Sequence, residues 1–248
     1  TEIPFQVVNN QIILKVLANE NSTDTLDFLF DSGAYSGVLL DVFEQFDGVY
    51  ADLRMKSSSN NTLSEETEIY SASKLIIGDL SIEDFNLTID EYKDKNIDGI
   101  IGADFMKGKV FTFDLPNNKI HISDISPVKN IDQNHFKIKR SWNKLYSSKM
   151  TVDDIKFKVY FDSGSTGFLY LNDKFESKGV QQASFEVLTR EANEFKIKIY
   201  TYIQAENLKL NDSNIENAIL IKSSYHNANA LGTKILMRNK VILDCINN

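Results

Sequence analysis

The chain has 248 residues and a mass of 28.2 kDa, with 42% hydrophobic and 25% charged residues, enough apolar material for one large domain or two modest ones and a composition that excludes disorder, collagen and coiled coil. Its 27 Lys and Arg against 35 Asp and Glu leave a net charge of −8, which makes nucleic acid and anionic membrane surfaces poor partners. Cys245 is the only cysteine, and His121, His135 and His226 are the only histidines, so neither an internal disulfide nor a Cys/His metal cluster is expected, and no cofactor is implied.

The chain opens Thr1-Glu2-Ile3-Pro4, without Met and without a basic-then-apolar leader. A processed secretory protein or a trimmed chain begins this way, and an extracytoplasmic or secreted location is the expectation. Period-two alternation, clearest in Phe195-Lys196-Ile197-Lys198-Ile199-Tyr200-Thr201, predicts a mainly β protein. Strands are predicted at 3–8, 11–17, 25–31, 49–55, 67–76, 110–122, 155–162 and 200–208, and short helices at 38–47, 102–107 and 232–238. Asp153-Asp154 falls between two alternating segments and reads as a hairpin turn. His121 is expected half-exposed on a strand, His135 and His226 in loops, and Trp142 as a packing anchor. Asn-x-Ser/Thr triplets starting at Asn21, Asn60, Asn86 and Asn211 are what an Asn-rich chain produces by chance. No stretch reaches the roughly 18 continuous apolar residues of a membrane-spanning helix.

An internal repeat organises the rest. Leu29-Phe30-Asp31-Ser32-Gly33 recurs 131 positions later as Tyr160-Phe161-Asp162-Ser163-Gly164. Gly99-Ile100-Ile101-Gly102 recurs at an offset of 130 as Asn229-Ala230-Leu231-Gly232, and Val110-Phe111-Thr112-Phe113-Asp114 at 130 as Lys240-Val241-Ile242-Leu243-Asp244. With 21 Asp, 22 Ser and 11 Gly, about 0.08 Asp-Ser-Gly triplets are expected by composition alone, so two in matching contexts indicate duplication. The copies span 1–124 and 135–248, joined by a linker at 125–134.

An apolar strand ending in Asp-Ser-Gly sets a carboxylate where the chain leaves a sheet, beside a small hydroxyl and a glycine that admits close backbone approach. Two such loops facing across a pseudo-twofold axis bring two carboxylates together, and a pair in a partly desolvated cleft shares one proton. The ionised member takes a proton from water while the protonated member donates to a carbonyl, which is amide hydrolysis without a covalent intermediate. Turn chemistry explains one Asp-Ser-Gly but not its recurrence. A serine nucleophile is disfavoured, because Gly-x-Ser-x-Gly does not occur and no His recurs between the copies.

On Phe30-Asp31-Ser32-Gly33-Ala34, Phe161-Asp162-Ser163-Gly164-Ser165, Ile100-Ile101-Gly102 and Ala230-Leu231-Gly232, the chain resembles the aspartic proteases of the pepsin and retropepsin superfamily, nearest the small two-lobed, retropepsin-like bacterial type. The resemblance implies a mainly β, bilobal pepsin-like or retropepsin-like double β-barrel with internal pseudo-twofold duplication. It also implies an endopeptidase acting on peptide or unfolded protein as a monomer. Asp31 and Asp162 would be the catalytic dyad, Ser32 and Ser163 the hydroxyls that cross-link the loops, and Gly33 and Gly164 the openings for backbone amides. In this family a hydroxyl at the position of Ser165 donates to the Asp of its own loop; the first copy has Ala34 there, so the dyad is expected to hold its shared proton mainly on Asp31. Each apolar-apolar-Gly element would pass beneath its own Asp loop.

The departures from the family are specific. No disulfide and no Tyr followed by Gly-Thr-Gly in a flap is present. The flap candidate is the polar segment from Ser57 to Glu65, with its second-copy counterpart from Thr189 to Glu194 and Tyr70 as a possible substrate contact. The second copy stops at Asn248, where the first continues through Asn117-Asn118-Lys119-Ile120-His121-Ile122, so its last strand is expected to be missing or supplied differently. The rival reading is a catalytically silent peptide-binding module of the same fold.

Overall fold

The structure, a computed structural model, describes residues 1–57, 65–90, 96–126, 138–140, 145–176, 180–191, 194–205, 207–210, 213–215, 218–223, 228–238 and 241–246. Strands β1 (Glu2–Val8) and β2 (Gln11–Leu17) form a hairpin over Asn9-Asn10. Both Asn have positive φ, 51° and 63°, the conformation that suits the twist of a two-residue hairpin and that Asn tolerates. β3 (Leu26–Asp31) follows, then β4 (Gly37–Leu39), which runs into α1 (Leu40–Phe43) and a 3₁₀ turn, Glu44–Phe46. β5 (Val49–Ser57), β6 (Glu65–Ile77) and β7 (Leu80–Asp90) make a meander. β8 (Gly99–Gly102), β9 (Val110–Asp114) and β10 (Lys119–Ser123) complete this half of the chain.

The second half contains β11 (Lys139–Arg140), β12 (Tyr146–Val152), β13 (Ile155–Phe161), β14 (Leu169–Asn172), β15 (Val180–Glu191) and β16 (Glu194–Gln204). After these come β17 (Leu208–Leu210), β18 (Ser213–Ile215), β19 (Ile219–Ser223), β20 (Ala230–Leu231), α2 (Lys234–Arg238) and β21 (Val241–Asp244). Asp153 and Asp154, with φ of 46° and 68°, turn the β12–β13 hairpin as the sequence indicates.

The strands form two sheets, an 11-stranded one in the order β21-β9-β10-β1-β2-β3-β8-β4-β7-β6-β5 and a 10-stranded one containing β15-β16-β19-β14-β20-β13-β12-β17-β18. One succession occurs in both: β2-β3-β8-β4-β7-β6-β5 in the first is matched element for element by β12-β13-β20-β14-β19-β16-β15 in the second. The parallel pairings also match, β3 with β8 and β4 with β7 against β13 with β20 and β14 with β19. β2 additionally pairs with β6, Val16 opposite Ile77. β21 leaves its own half and lies antiparallel to β9, with Ile242 opposite Thr112, positions one repeat apart.

β3 is buried on both faces, which is why it reads as a near-continuous apolar run. Phe28 and Phe30 enter the main core, where Phe30 meets Phe111 and Phe113 at ring-centre distances of 6.0 and 5.7 Å. Leu29, pointing the other way, joins Ile13 and Ile100 in a smaller cluster.

Three sequence expectations are corrected. The predicted strand 110–122 is two strands, broken by a turn after Asp114 in which Asn118 has φ 51°. The predicted helix 102–107 is a series of turns: Gly102 is still extended in β8, and Phe105, Met106 and Lys107 each donate only to the residue three before, at 3.2 to 3.3 Å. The predicted helix 38–47 starts as strand, since Val38 and Leu39 pair with Ile89 and Asp90. The predicted linker lies outside the described residues from 127 onward, as do His135, Trp142 and His226. No described helix is long and apolar enough to cross a membrane.

Candidate active site

Asp31 is the last residue of β3, opposite Gly102 of the parallel strand β8. Asp162 directly follows β13, and its N–H donates to the Leu231 carbonyl at 3.0 Å. Both chains then turn in the same way. The amides of Ala34 and Ser165 donate to the Asp31 and Asp162 carbonyls at 3.1 and 3.2 Å. The amides of Gly33 and Gly164 donate back to the Oδ1 atoms of the same two carboxylates, at 2.9 and 3.1 Å, the local side-chain-to-backbone bonding that Asp favours in turns.

Each loop rests on its apolar-apolar-Gly element. Ala103 N–H donates to the Ala34 carbonyl at 2.9 Å and Thr233 N–H to the Ser165 carbonyl at 2.8 Å. A Cβ on Gly102 would lie 2.5 Å from the Ala34 oxygen and the Ser36 nitrogen, and one on Gly232 2.6 Å from the Ser165 oxygen. Those are backbone atoms with nowhere to go, so only glycine fits.

The two loops meet through their serines, both fully buried. Ser32 Oγ donates to the Phe161 carbonyl at 3.0 Å, and Ser163 Oγ donates to the Phe30 carbonyl at 2.8 Å. Each hydroxyl also accepts the other's backbone N–H: Ser163 N–H to Ser32 Oγ at 3.0 Å and Ser32 N–H to Ser163 Oγ at 2.9 Å. This four-bond cross-link is reciprocal, and both hydroxyls donate and accept with no polar atom left to water. It sets each glycine against the other loop's carboxylate. A Cβ on Gly33 would stand 2.7 Å from Asp162 Oδ1, and one on Gly164 2.7 Å from Asp31 Oδ1. Both Asp residues remain half-buried. Two carboxylates from different sheets thus share one site, an arrangement able to hold one proton between them and to bind a water.

Beyond this frame the loops differ. Ser165 Oγ donates to Asp162 Oδ2 at 2.8 Å and its N–H to Oδ1 at 3.1 Å, whereas Ala34 carries no hydroxyl. The first loop is braced by residues that motif reading did not single out. Ser36 N–H donates to Asp104 Oδ1 at 2.8 Å, and Ser36 Oγ accepts Gly102 N–H at 2.8 Å. Burial pushes the Asp104 carboxyl up, partly offset by the Ser36 hydrogen bonds and the Arg140 charge. Burial likewise raises the Tyr35 phenol. In the second loop Thr233 Oγ1 reaches the Ser163 and Ser165 carbonyls at 2.7 and 2.9 Å. Gln11 Nε2 crosses from β2 to the Gly164 carbonyl at 3.2 Å. Ser36 and Thr233 sit close to the motifs that were read; Gln11 has no local signal at all.

Tyr70 packs edge-on against Phe43 and Tyr50, at 5.1 and 5.7 Å, and its hydroxyl donates to Glu68 at 3.0 Å. Both flap candidates have their tips, 58–64 and 192–193, outside the described residues. His121 is half-exposed on β10, 3.2 Å from Glu2 Oε1. Cys245 is buried as a free thiol, and burial pushes it up to about 12.

No family model matches this sequence, and no curated protein matches it. Solved structures do. The chain is similar to basic 7S globulin from soybean over 98% of its own length and 91% of that chain, at 11% identity and a TM-score of 0.50. It also matches a retropepsin-like aspartic protease from Rickettsia conorii over 42% of this chain and 87% of that one, at 19% identity and a TM-score of 0.33. The likeness to the soybean globulin is one of fold alone, and that fold is mainly β.

Proposed function

We propose that this protein is an aspartic endopeptidase of bilobal, pepsin-like double-barrel architecture, built from two pseudo-twofold copies whose loops supply Asp31 and Asp162. The matched strand succession and the β9–β21 register, which sets Ile242 against its own repeat counterpart Thr112, support the twofold relation. The β2–β6 pairing supports a closed barrel in the first copy. The observation that carries the function is the reciprocal Ser32–Ser163 cross-link, which aims each carboxylate at the opposite loop's glycine.

In this reading the dyad holds one proton. The ionised carboxylate withdraws a proton from a bound water as the oxygen attacks the scissile carbonyl, and the protonated one donates to the carbonyl oxygen. The resulting tetrahedral diol then collapses with transfer of a proton to the leaving nitrogen. Ser165 Oγ donates to Asp162 Oδ2 and orients that carboxylate. An extended peptide would bind across the site by strand-like backbone hydrogen bonds. Incubation with an unfolded protein and a mixed peptide library at roughly pH 3 to 7, with and without a hydroxyl-bearing transition-state analogue, tests the reading. Cleavage blocked by the analogue supports it. Peptide affinity without cleavage at any pH would assign the chain to the silent binding module instead.

A further inference from the structure

Charge is unevenly distributed along the chain. Residues 135–161 hold seven basic residues and two acidic ones, in a protein whose net charge is −8. The described part of this segment forms β11, β12 and β13 of the second sheet, and pairing places its lysines on one face. Lys149 lies directly opposite Lys158, Thr151 opposite Lys156, Ser147 opposite Tyr160, and Lys139 opposite Ser147. On β13 the alternation Lys156, Lys158, Tyr160 is the outward set, while Val159 and Phe161 are core, and Asp162 follows directly after the strand. The cationic face therefore leads along one strand to the candidate catalytic Asp162.

The duplication shows what is unusual here. In the first sheet the corresponding cross-strand pair is Lys15 opposite Asp27, an ion pair at 2.5 Å. The second sheet has Lys149 opposite Lys158 at the same place. Like charges directly opposite on antiparallel strands are destabilising, and among the described residues no carboxylate pairs with Lys139, Lys149 or Lys156. Lys158 lies 3.1 Å from the Tyr160 hydroxyl and 4.6 Å from its ring centre, so its ammonium is drawn toward Asp162. A groove of about 600 Å³ is lined by Lys139, Ser147, Lys149, Lys156 and Lys158 together with Ser148 and Phe157.

We propose that this face binds acidic side chains of an extended peptide whose scissile bond lies at the Asp31/Asp162 pair, the peptide carboxylates supplying the negative charge that Asp27 supplies in the first copy. The inference rests on the endopeptidase reading for the position of the bond, while the charge preference can be measured separately. Lys158 is four residues from Asp162, about 13 Å along the strand, so the favoured acidic positions fall roughly three to six residues from the cut.

The test uses two reduced-amide, fluorescein-labelled peptides that differ only in carrying three Glu or three Gln in that stretch, with the hydrolysable pair assayed in parallel. The Glu peptide should bind about fivefold more tightly at low salt, the sum of two or three exposed ion pairs. The advantage should vanish near 1 M salt, where the screening length is about 3 Å. Lys158→Asp, which restores the first copy's pair, should abolish the preference and raise the unfolding midpoint; Lys149→Gln should weaken the preference. Equal affinities at low salt, a preference that survives high salt, or displacement by single-stranded DNA at lower concentration than by unlabelled Glu peptide would each overturn the proposal. Cleavage without a Glu preference sinks this inference alone, and a Glu preference without cleavage sinks the endopeptidase reading alone.

Discussion

The two Asp-Ser-Gly loops agree wherever one must fit the other and differ wherever each faces its own surroundings. Ser32 and Ser163 exchange the same four hydrogen bonds, and Gly33 and Gly164 each lie where a Cβ would run into the opposite carboxylate. A change on one side there would have to be answered on the other. Outside that contact the copies have diverged: Ala34 against Ser165, Asp104 against Lys234, and the Lys15–Asp27 ion pair against Lys149 facing Lys158. Symmetry is kept by the frame of the site, and asymmetry lies in what surrounds each loop.

The shared frame should be the most sensitive part. Gly164→Ala puts a methyl group against the Asp31 carboxylate, and Gly33→Ala does the same to Asp162. A displacement of about 1 Å at reacting groups costs on the order of 100-fold in rate, so kcat/KM should fall at least that far in either variant. A loss confined to one of them would break the symmetry of the frame. Ser32→Ala and Ser163→Ala should each lower stability by about 1 to 3 kcal/mol, because each leaves buried partners unsatisfied. The double variant should cost less than the sum, since the two residues share their bonds; chemical denaturation of the three variants measures this.

Next in size come the differences between the loops. Ser165→Ala removes a hydrogen bond to the Asp162 carboxylate, worth about 1 kcal/mol, and should lower kcat/KM by roughly fivefold, while Ala34→Ser, at a loop that works without that hydroxyl, should change it less. Equal effects of the two variants on kcat/KM would contradict this difference between the loops.

Asp104 gives a smaller effect, with the opposite sign to an ordinary paired carboxylate. Its carboxyl is raised by burial, so the folded chain favours the neutral form. That contribution is complete below the ordinary carboxylate range and is lost as pH rises through the raised value. Asp104→Asn, always neutral, should therefore gain stability relative to the native chain as pH rises from about 4 toward 7, read from unfolding midpoints across that range.

What the sequence made legible was local and repeated. The duplication, the two Asp-Ser-Gly turns, the Gly102 and Gly232 elements and the Asp153-Asp154 hairpin each depend on a few adjacent residues whose backbone geometry admits few alternatives. Partners chosen across the fold were not legible. β7 was missed although it pairs in parallel with β4, and the route of β21 onto β9 depends on a register set by residues 130 positions away. Residues 102–107 have helical composition, but Gly102 is already committed to β8 and the following turns are held by the Ala34 loop. Gln11 reaches Gly164 only because the two halves are docked.

The central claim is that Asp31 and Asp162 act as one pair within one chain. Cleavage of a peptide substrate by the native chain, by Asp31→Asn, by Asp162→Asn and by an equimolar mixture of the two variants tests it most directly, with circular dichroism confirming that each variant is folded. Both single variants should lose activity by several orders of magnitude, about 10⁴-fold or more, and mixing them should restore nothing. Retained cleavage in either folded variant, or recovery on mixing, would contradict it.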